Sequence, residues 1–464
     1  MKKIEIHNFG PIKDAIIDIK PMLVLIGPQA SGKSTIAKLI YFFETLPDDF
    51  YLKYYQSPNL KFDITSDLII PIRSKFYDLF GSTRHLPSDF TIICYYGEAK
   101  TLTLSIDEGK KLFLVFSDDF FTNKKSLSKN KRELLQLKNE LNSIDIQINV
   151  ARRVELQEQQ LNKLHSFNDF INSIFCNAHN DELYIIAGRN ATVGYSEVFA
   201  DLFRQSLEKK LADQGKRIYS SKEQTIDETL MMSFMQKVIR MKQTFVNYGN
   251  IEGMIASASD YAHKNKLSLA HGLISKVLRG QYSPDKTGYG ERIVHGKRYV
   301  YLRDASSGQQ ESIRILQDAF LGIFQGNKLF RIVEEPEAHL FPEAQKATIE
   351  LLTLTLNNKD ENNLIITTHS PYTLTVINNL IFAAKEGEVY PEKVEKIIPK
   401  DFWLPTKRVA AYYLNDGTAE SIIDDELGEI KAERIDEISH IINQEYDNIY
   451  NIQYESETDA TSEE

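Results

Sequence analysis

Cysteine is nearly absent: two residues in 464, Cys94 and Cys176, too few and too far apart for a disulfide framework or a cysteine-built zinc site. Both are expected to be buried free thiols. No window approaches about 18 uninterrupted apolar residues, and MKKIEIHNFG lacks the apolar stretch of a secretory signal, so a cytoplasmic chain without membrane contact is expected. Glycine (22) and proline (14) are sparse, which excludes collagenous and low-complexity chains. A basic excess is missing too. With 55 basic and 65 acidic residues the net charge is −10, against a surface coated for nucleic acid or anionic lipid. Five acids and no base fall in the last ten residues, so a C-terminal tail expected to be disordered carries half of that charge.

What is present is an ordinary globular composition, 42% hydrophobic and 26% charged, long enough for two or three domains at about 150 residues each. MLVLI (22–26), bounded by Pro21 and Gly27, reads as a strand buried on both faces of a parallel sheet, with a helix following from Lys33 to Glu44. FTIICYY (90–96), TLTLSID (101–107) and KLFLVFS (111–117) read as an antiparallel meander. From Thr122 to Ala187 there is neither Gly nor Pro. Leu127, Leu134, Leu137, Leu141, Ile144 and Ile148 form a heptad seam, with Ala151 next in phase, and it restarts after a three-residue slip at Val154, Leu161, Leu164 and Ile171. A continuous helix over 125–174 would reach about 75 Å, a projecting arm, with 196–247 as the candidate return helix. Strand-like runs return at 329–333 and 364–368.

Gly27-Pro28-Gln29-Ala30-Ser31-Gly32-Lys33-Ser34 matches the phosphate-loop pattern between a buried strand and a helix. In that setting backbone N–H groups would cradle phosphates, Lys33 would reach the β and γ phosphates, and Ser34 would ligate Mg²⁺, with Thr35 in the same helical turn. The strand LFRIV ends in Glu334-Glu335-Pro336-Glu337, where Glu334 would serve the metal and Glu335 would act as general base. Ala305-Ser306-Ser307-Gly308-Gln309 opens a helix-like stretch. It reads either as an anion site or as an ordinary N-cap by Ser306 or Ser307. His369, after LIITT, is either structural or a contact to the γ-phosphate.

These four elements in this order resemble the ABC-type ATPase heads of the SMC, RecF and OLD-like group: Walker A, an SSGQ signature, Walker B in EEPEAHLFP and a switch histidine. The resemblance covers about residues 1–45 and 300–380. It implies an α/β P-loop head with an antiparallel β subdomain and a long helical, coiled-coil insertion. The expected division is 1–118 and 280–400 for the two parts of the head, 119–279 for the insertion and 401–464 for a C-terminal extension. It further implies ATP and Mg²⁺ as ligands, bound by Gly27, Gln29, Ser31, Gly32, Lys33, Ser34 and Thr35. Ser34 and Glu334 would hold the metal; Glu335 and His369 would be catalytic. Ser306, Ser307 and Gly308 would reach the nucleotide of a second copy, so that ATP joins two heads.

Two features depart from that pattern: Glu334 stands where aspartate is common, and no coupling glutamine loop is evident, Arg189 lying near its expected place. The 95 residues after His369 hold no HNH cluster, and Asp424, Asp425 and Glu426 read as the solvated start of a helix. The stretch LNDGTAESII with IDEISHIINQEYDNIY is similar to ATPase subunits of anti-phage systems, PARIS first and Septu second. That resemblance implies an ATPase without nuclease activity of its own, partnered by a separate nuclease or toxin effector and by a phage-encoded trigger protein. The alternative is a DNA-repair ATPase whose arm, with Lys124, Lys125, Lys129, Lys131 and Arg132, tethers DNA.

Overall fold

The computed structural model describes residues 2–57, 60–122, 124–143, 150–194, 226–285, 290–424, 426–431, 443–445 and 447–448. The chain opens with the antiparallel pair β1 (Lys2–Phe9) and β2 (Ile12–Ile19), in which Ile4 faces Ile17, both buried. Next comes β3 (Met22–Ile26), buried at all five positions, as a strand covered on both faces must be. Helices α1 (Lys33–Glu44), α2 (Leu46–Gln56) and α3 (Ile70–Phe80) lead to the meander β4 (Thr91–Tyr95), β5 (Thr101–Ile106) and β6 (Leu112–Phe116). Two long helices, α4 (Lys124–Ser143) and α5 (Val150–Ile174), precede β7 (Asp181–Ile185). Then follow α6 (Ile226–Tyr248), α7 (Ile251–Ser257), α8 (Tyr261–Leu278) and a small antiparallel sheet of β8 (Gln281–Ser283), β9 (Arg292–His295) and β10 (Arg298–Tyr301). The last part is α9 (Ser307–Gln325), β11 (Leu329–Glu334), α10 (Pro342–Leu356), β12 (Asn363–Thr368), α11 (Pro371–Gly387), α12 (Pro391–Glu395), β13 (Val409–Asn415) and β14 (Thr418–Ser421).

Among the described residues eleven strands form one mixed sheet, ordered β6-β5-β4-β1-β2-β14-β13-β3-β12-β11-β7. From β13 to β7 the neighbours are parallel, in a register that sets Ile26 beside both Thr368 and Tyr413, Glu334 beside Thr367, and Val333 beside Ile185. The C-terminal ends of β13, β3, β12, β11 and β7 therefore lie along one edge, where the loops that leave them meet. This is the mixed α/β architecture expected of a P-loop ATPase head.

The helical stretch differs from a single arm. α4 and α5 pack on each other in opposite directions: Lys163 of α5 pairs with Glu133 of α4 and donates to Asn130 Oδ1 at 3.1 Å. The 25 residues of α5 reach about 37 Å at 1.5 Å per residue. α5 is thus the return helix, whereas α6 packs on β7 and α9. Leu127, Leu134, Phe167 and Ile171 are buried at the root, Phe167 against Tyr51 and Tyr54 of α2. Val154 and Leu161 of the expected seam are more than half exposed, because α5 turns Leu156 and Phe167 inward instead. Ile144, Ile148 and residues 196–225 lie outside the described residues, as does the side chain of Ala151.

Four further expectations are corrected. Cys176 is exposed, at a left-handed turn (φ 49°) after α5; only Cys94 is buried. Lys131, named with the basic cluster of the arm, is not on its surface: it is fully buried, its ammonium 4.3 Å from the centroid of Tyr54. Asp424 opens a tight turn, not a helix, accepting from the N–H groups of Glu426 and Leu427; Asp425 and residues 432–442 and 449–464, the acidic tail included, fall outside the described residues. Residues 409–421, expected in an extension beyond the head, form β13 and β14 inside the central sheet, β13 lying directly against β3. No described helix is long and apolar enough to cross a membrane.

Candidate functional site

The loop between β3 and α1 turns by adopting left-handed backbone at Ala30 (φ 61°) and Gly32 (φ 99°), and Gly27 packs so closely that an added Cβ would stand 2.1 Å from the carbonyl oxygen of Leu414 in β13. α1 has no side-chain cap, and its first intrahelical donor is Ile36, bonded to Gly32 O. The N–H groups of Lys33, Ser34 and Thr35 therefore have no acceptor among the described residues and form the open donors of a helix N-terminus, where an anion is favoured. Lys33 is buried and donates to Gly27 O at 2.8 Å and Pro28 O at 2.7 Å. Burial holds its ammonium below the usual lysine value, opposed by the negative charges of Glu335 and Glu337. Ser31 is buried, Ser34 and Thr35 half-buried, and Gln29 exposed at the loop's outer turn.

β11 brings the acids to this edge. Glu334 is buried and turned toward β7: its Oε1 accepts from the Tyr184 hydroxyl at 2.7 Å and its Oε2 from the Ala187 N–H at 3.1 Å. Glu335 takes a left-handed backbone conformation (φ 44°), strained for a glutamate. Its peptide is held from both sides, N–H to Thr367 O at 2.8 Å and carbonyl to Arg189 Nη2 at 2.9 Å, and its half-exposed carboxylate lies 3.5 Å from His369 Nε2. Glu337, which sequence reasoning did not single out, receives Thr368 Oγ1 at 2.7 Å and the His369 N–H at 2.8 Å on its Oε1. Its Oε2 is buried and receives no donor among the described residues.

Ser306 caps α9. Its Oγ accepts from the Gln309 N–H at 3.4 Å while Gln309 Oε1 accepts from the Ser306 N–H at 3.1 Å, a capping box. Ser306 and Ser307 are exposed. Gly308 is buried against the turn after β11: a Cβ there would stand 2.6 Å from His339 O. The fold thus gathers Lys33, Glu335, Glu337 and His369 at one sheet edge and seats the 306–308 turn on the chain that carries the acids.

Arg189, near the place where a coupling glutamine loop is expected, lies in the interior. It is fully buried, and its guanidinium donates to four main-chain carbonyls: Ile186 at 3.3 Å, Glu311 at 2.9 Å, Glu334 at 2.6 Å and Glu335 at 2.9 Å. Glu311, in the second turn of α9, accepts the Arg189 N–H at 3.0 Å and the Asn190 N–H at 3.3 Å. The only sequence signal was a lone arginine directly after a strand.

The sequence matches the AAA_15 family, described as AAA ATPase domain, over residues 1–374. Among solved structures, similarity is found to the SMC head domain from Thermotoga maritima at 10% identity and a TM-score of 0.35, over 90% of this chain and 97% of that one. The recombination mediator protein RecF-ATPrS of the RecFOR pathway is similar at 10% identity and a TM-score of 0.31, with the same coverage. No curated protein matches.

Proposed function

Since this chain belongs to the AAA_15 family of AAA ATPase domains, we propose that it hydrolyses ATP with Mg²⁺ at the edge formed by β3, β11 and β12, in pairs of heads that share the nucleotide. The observation that carries this reading is the convergence of Lys33, Glu335 and His369 at the ends of three adjacent parallel strands. Lys33, now bonded to carbonyls of its own loop, would exchange them for the β and γ phosphates, and the open N–H groups of residues 33–35 would hold phosphate oxygens. The oxygen donors Ser34 and Glu334 are of the kind Mg²⁺ takes, Glu334 having to exchange the Tyr184 hydroxyl or the Ala187 N–H to serve it, and Glu337 Oε2, buried without a donor among the described residues, would add a further acceptor. The metal would supply charge neutralisation at the β and γ oxygens. Glu335 would take a proton from water as its oxygen bonds to the γ-phosphorus and the bond from that phosphorus to the β-bridging oxygen breaks, giving ADP and phosphate. His369 Nε2 would steady Glu335 or donate to the γ-phosphate. Exposed Ser306 and Ser307, with Gly308, would reach the nucleotide of a second copy. Turnover by the purified chain, abolished in Lys33→Ala, tests the reading; equal turnover in both would overturn it.

The biological role in this reading is a sensor and scaffold of an anti-phage system, PARIS-like before Septu-like, that holds a separate nuclease effector and releases it when a phage product is sensed. Its support is the resemblance carried by LNDGTAESII, whose first residue, Leu414, lies against Gly27 of the phosphate loop. Co-purification with the product of the adjacent open reading frame is the test; no nuclease neighbour, or no complex, counts against it. The alternative, a DNA-tethering ATPase, draws on Lys124, Lys125, Lys129 and Arg132, all exposed near the root of the hairpin. It requires DNA binding that weakens steeply with salt.

A further inference from the structure

We infer that Arg189 and Glu311 form the link through which the 306–308 turn of α9 sets the position of Glu335. Resting on the ATPase reading above, this names how that site is regulated: the hydrolytic base is correctly aimed only when α9 sits where a second copy's nucleotide would draw it.

Arg189 joins three segments of the chain. A guanidinium has five N–H donors in a rigid plane, and here that plane spans three segments: the loop after β7 through Ile186 O, α9 through Glu311 O, and the turn after β11 through Glu334 O and Glu335 O. No lysine could span them from one nitrogen. A fully buried cation also needs a counter-charge, and Glu311, itself buried, stands 3.5 Å from Arg189 Nε. The same carboxylate accepts the N–H groups of residues 189 and 190, so α9 and the arginine loop are joined in both directions.

At the other end of the link Glu335 is the residue with most to lose. Its left-handed backbone is held by Thr367 O on its N–H and, on its carbonyl, by Arg189 at 2.9 Å and by the Ala338 N–H at 3.0 Å, Arg189 being the charged donor of the two. Without Arg189 that carbonyl keeps only the Ala338 N–H, and the strained peptide, deprived of its charged donor, shifts toward a commoner conformation and moves the carboxylate off its place beside His369. Upstream, α9 is capped by exposed Ser306, and Gly308 touches His339 in the same turn that follows Glu335. α9 is buried along most of its length, so a displacement at its N-terminus moves Glu311 with it. The α9 turn and Glu335 therefore move as one body, with Arg189 as the positioning residue.

The test compares the wild type, Arg189→Lys, Glu335→Gln and the double variant, each measured for ATP affinity, turnover against protein concentration, and melting temperature. The expected result for Arg189→Lys is a kcat lowered about tenfold or more, with KM and ATP affinity within about threefold and ATP-dependent self-association retained. The double variant is expected to turn over no more slowly than Glu335→Gln alone, because both act at one group. If Arg189→Lys does not fold, Glu311→Gln, which keeps the acceptor and loses the charge, carries the same test with the same split between kcat and KM. Wild-type kcat in these variants, a loss residing in ATP affinity, or a further tenfold loss on top of Glu335→Gln would overturn the link. A wild type without Lys33-dependent turnover would instead remove the ATPase reading and this inference with it.

Discussion

His369 Nε2 lies 3.5 Å from Glu335 Oε1, although the two residues leave different strands and Glu335 does so in a strained left-handed conformation. The contact is possible because β11 and β12 are parallel and in register at Glu334 and Thr367, so the residues that follow them emerge side by side. A carboxylate held by a neighbouring imidazole, near the buried Lys33 ammonium, is an arrangement suited to accepting a proton from water.

Glu335→Gln is therefore expected to lower kcat about 100-fold or more while ATP still binds, since the amide keeps the shape and loses the basicity. His369→Ala should lower kcat by a smaller factor. Single-turnover hydrolysis together with retention of labelled nucleotide on the protein checks both; normal turnover in Glu335→Gln would show that the base lies elsewhere.

Gly308→Ala probes the signature turn. An added methyl would stand 2.6 Å from His339 O, a backbone atom that cannot rotate away, so the turn must shift. The expected result is ATP binding by the isolated chain within about threefold of wild type, with steady-state turnover reduced about tenfold. Equilibrium binding of a fluorescent ATP analogue beside a phosphate-release assay separates the two quantities.

Gly27→Ala probes the seam between the phosphate loop and β13. The new Cβ would sit 2.1 Å from Leu414 O, and β3 and β13 would have to part. A loss of at least about 2 kcal/mol of stability is expected, with loss of ATP binding. Urea denaturation monitored by circular dichroism reads the first and nucleotide titration the second.

How much of this was legible in sequence depends on the range of the interactions. MLVLI, the glycine pattern after it, EEPE after LFRIV and His369 after LIITT are local signals, each a strand followed by the chemistry it delivers, and the fold sets all four at one edge. β13 escaped notice because VAAYYLN gains its place only by pairing with β3, a contact between the two ends of the chain. Arg189 could be given a place but no role from sequence, because its partners are main-chain carbonyls, which carry no residue-type signature. The hairpin passed for one helix because IDIQIN, between α4 and α5, contains no glycine or proline to signal a break.

At the opposite edge of the sheet, His179 gives the fold a pH dependence. Burial pushes its pKa from 6.5 down to about 4, Glu44 at 3.9 Å opposing and Lys2 and Arg331 assisting. The unfolded chain takes up a proton below about pH 6.5 and the folded chain does not until about pH 4, so this contribution is complete above pH 6.5 and is lost as pH falls toward 4. The loss amounts to about 3 kcal/mol. His179→Gln is expected to flatten that part of the curve of melting temperature against pH; parallel curves for variant and wild type would exclude His179 as the source.

The measurement that bears most directly on the account is the mass of Glu335→Gln by sedimentation velocity with Mg²⁺ and ATP, with Mg²⁺ and ADP, and after adding Ser307→Arg. Paired heads in ATP, single chains in ADP, and single chains in ATP once the bulky arginine replaces exposed Ser307 are the expected results. An unchanged mass in ATP and ADP, or pairs that persist with Ser307→Arg, would contradict the claim that two copies share the nucleotide through the 306–308 turn.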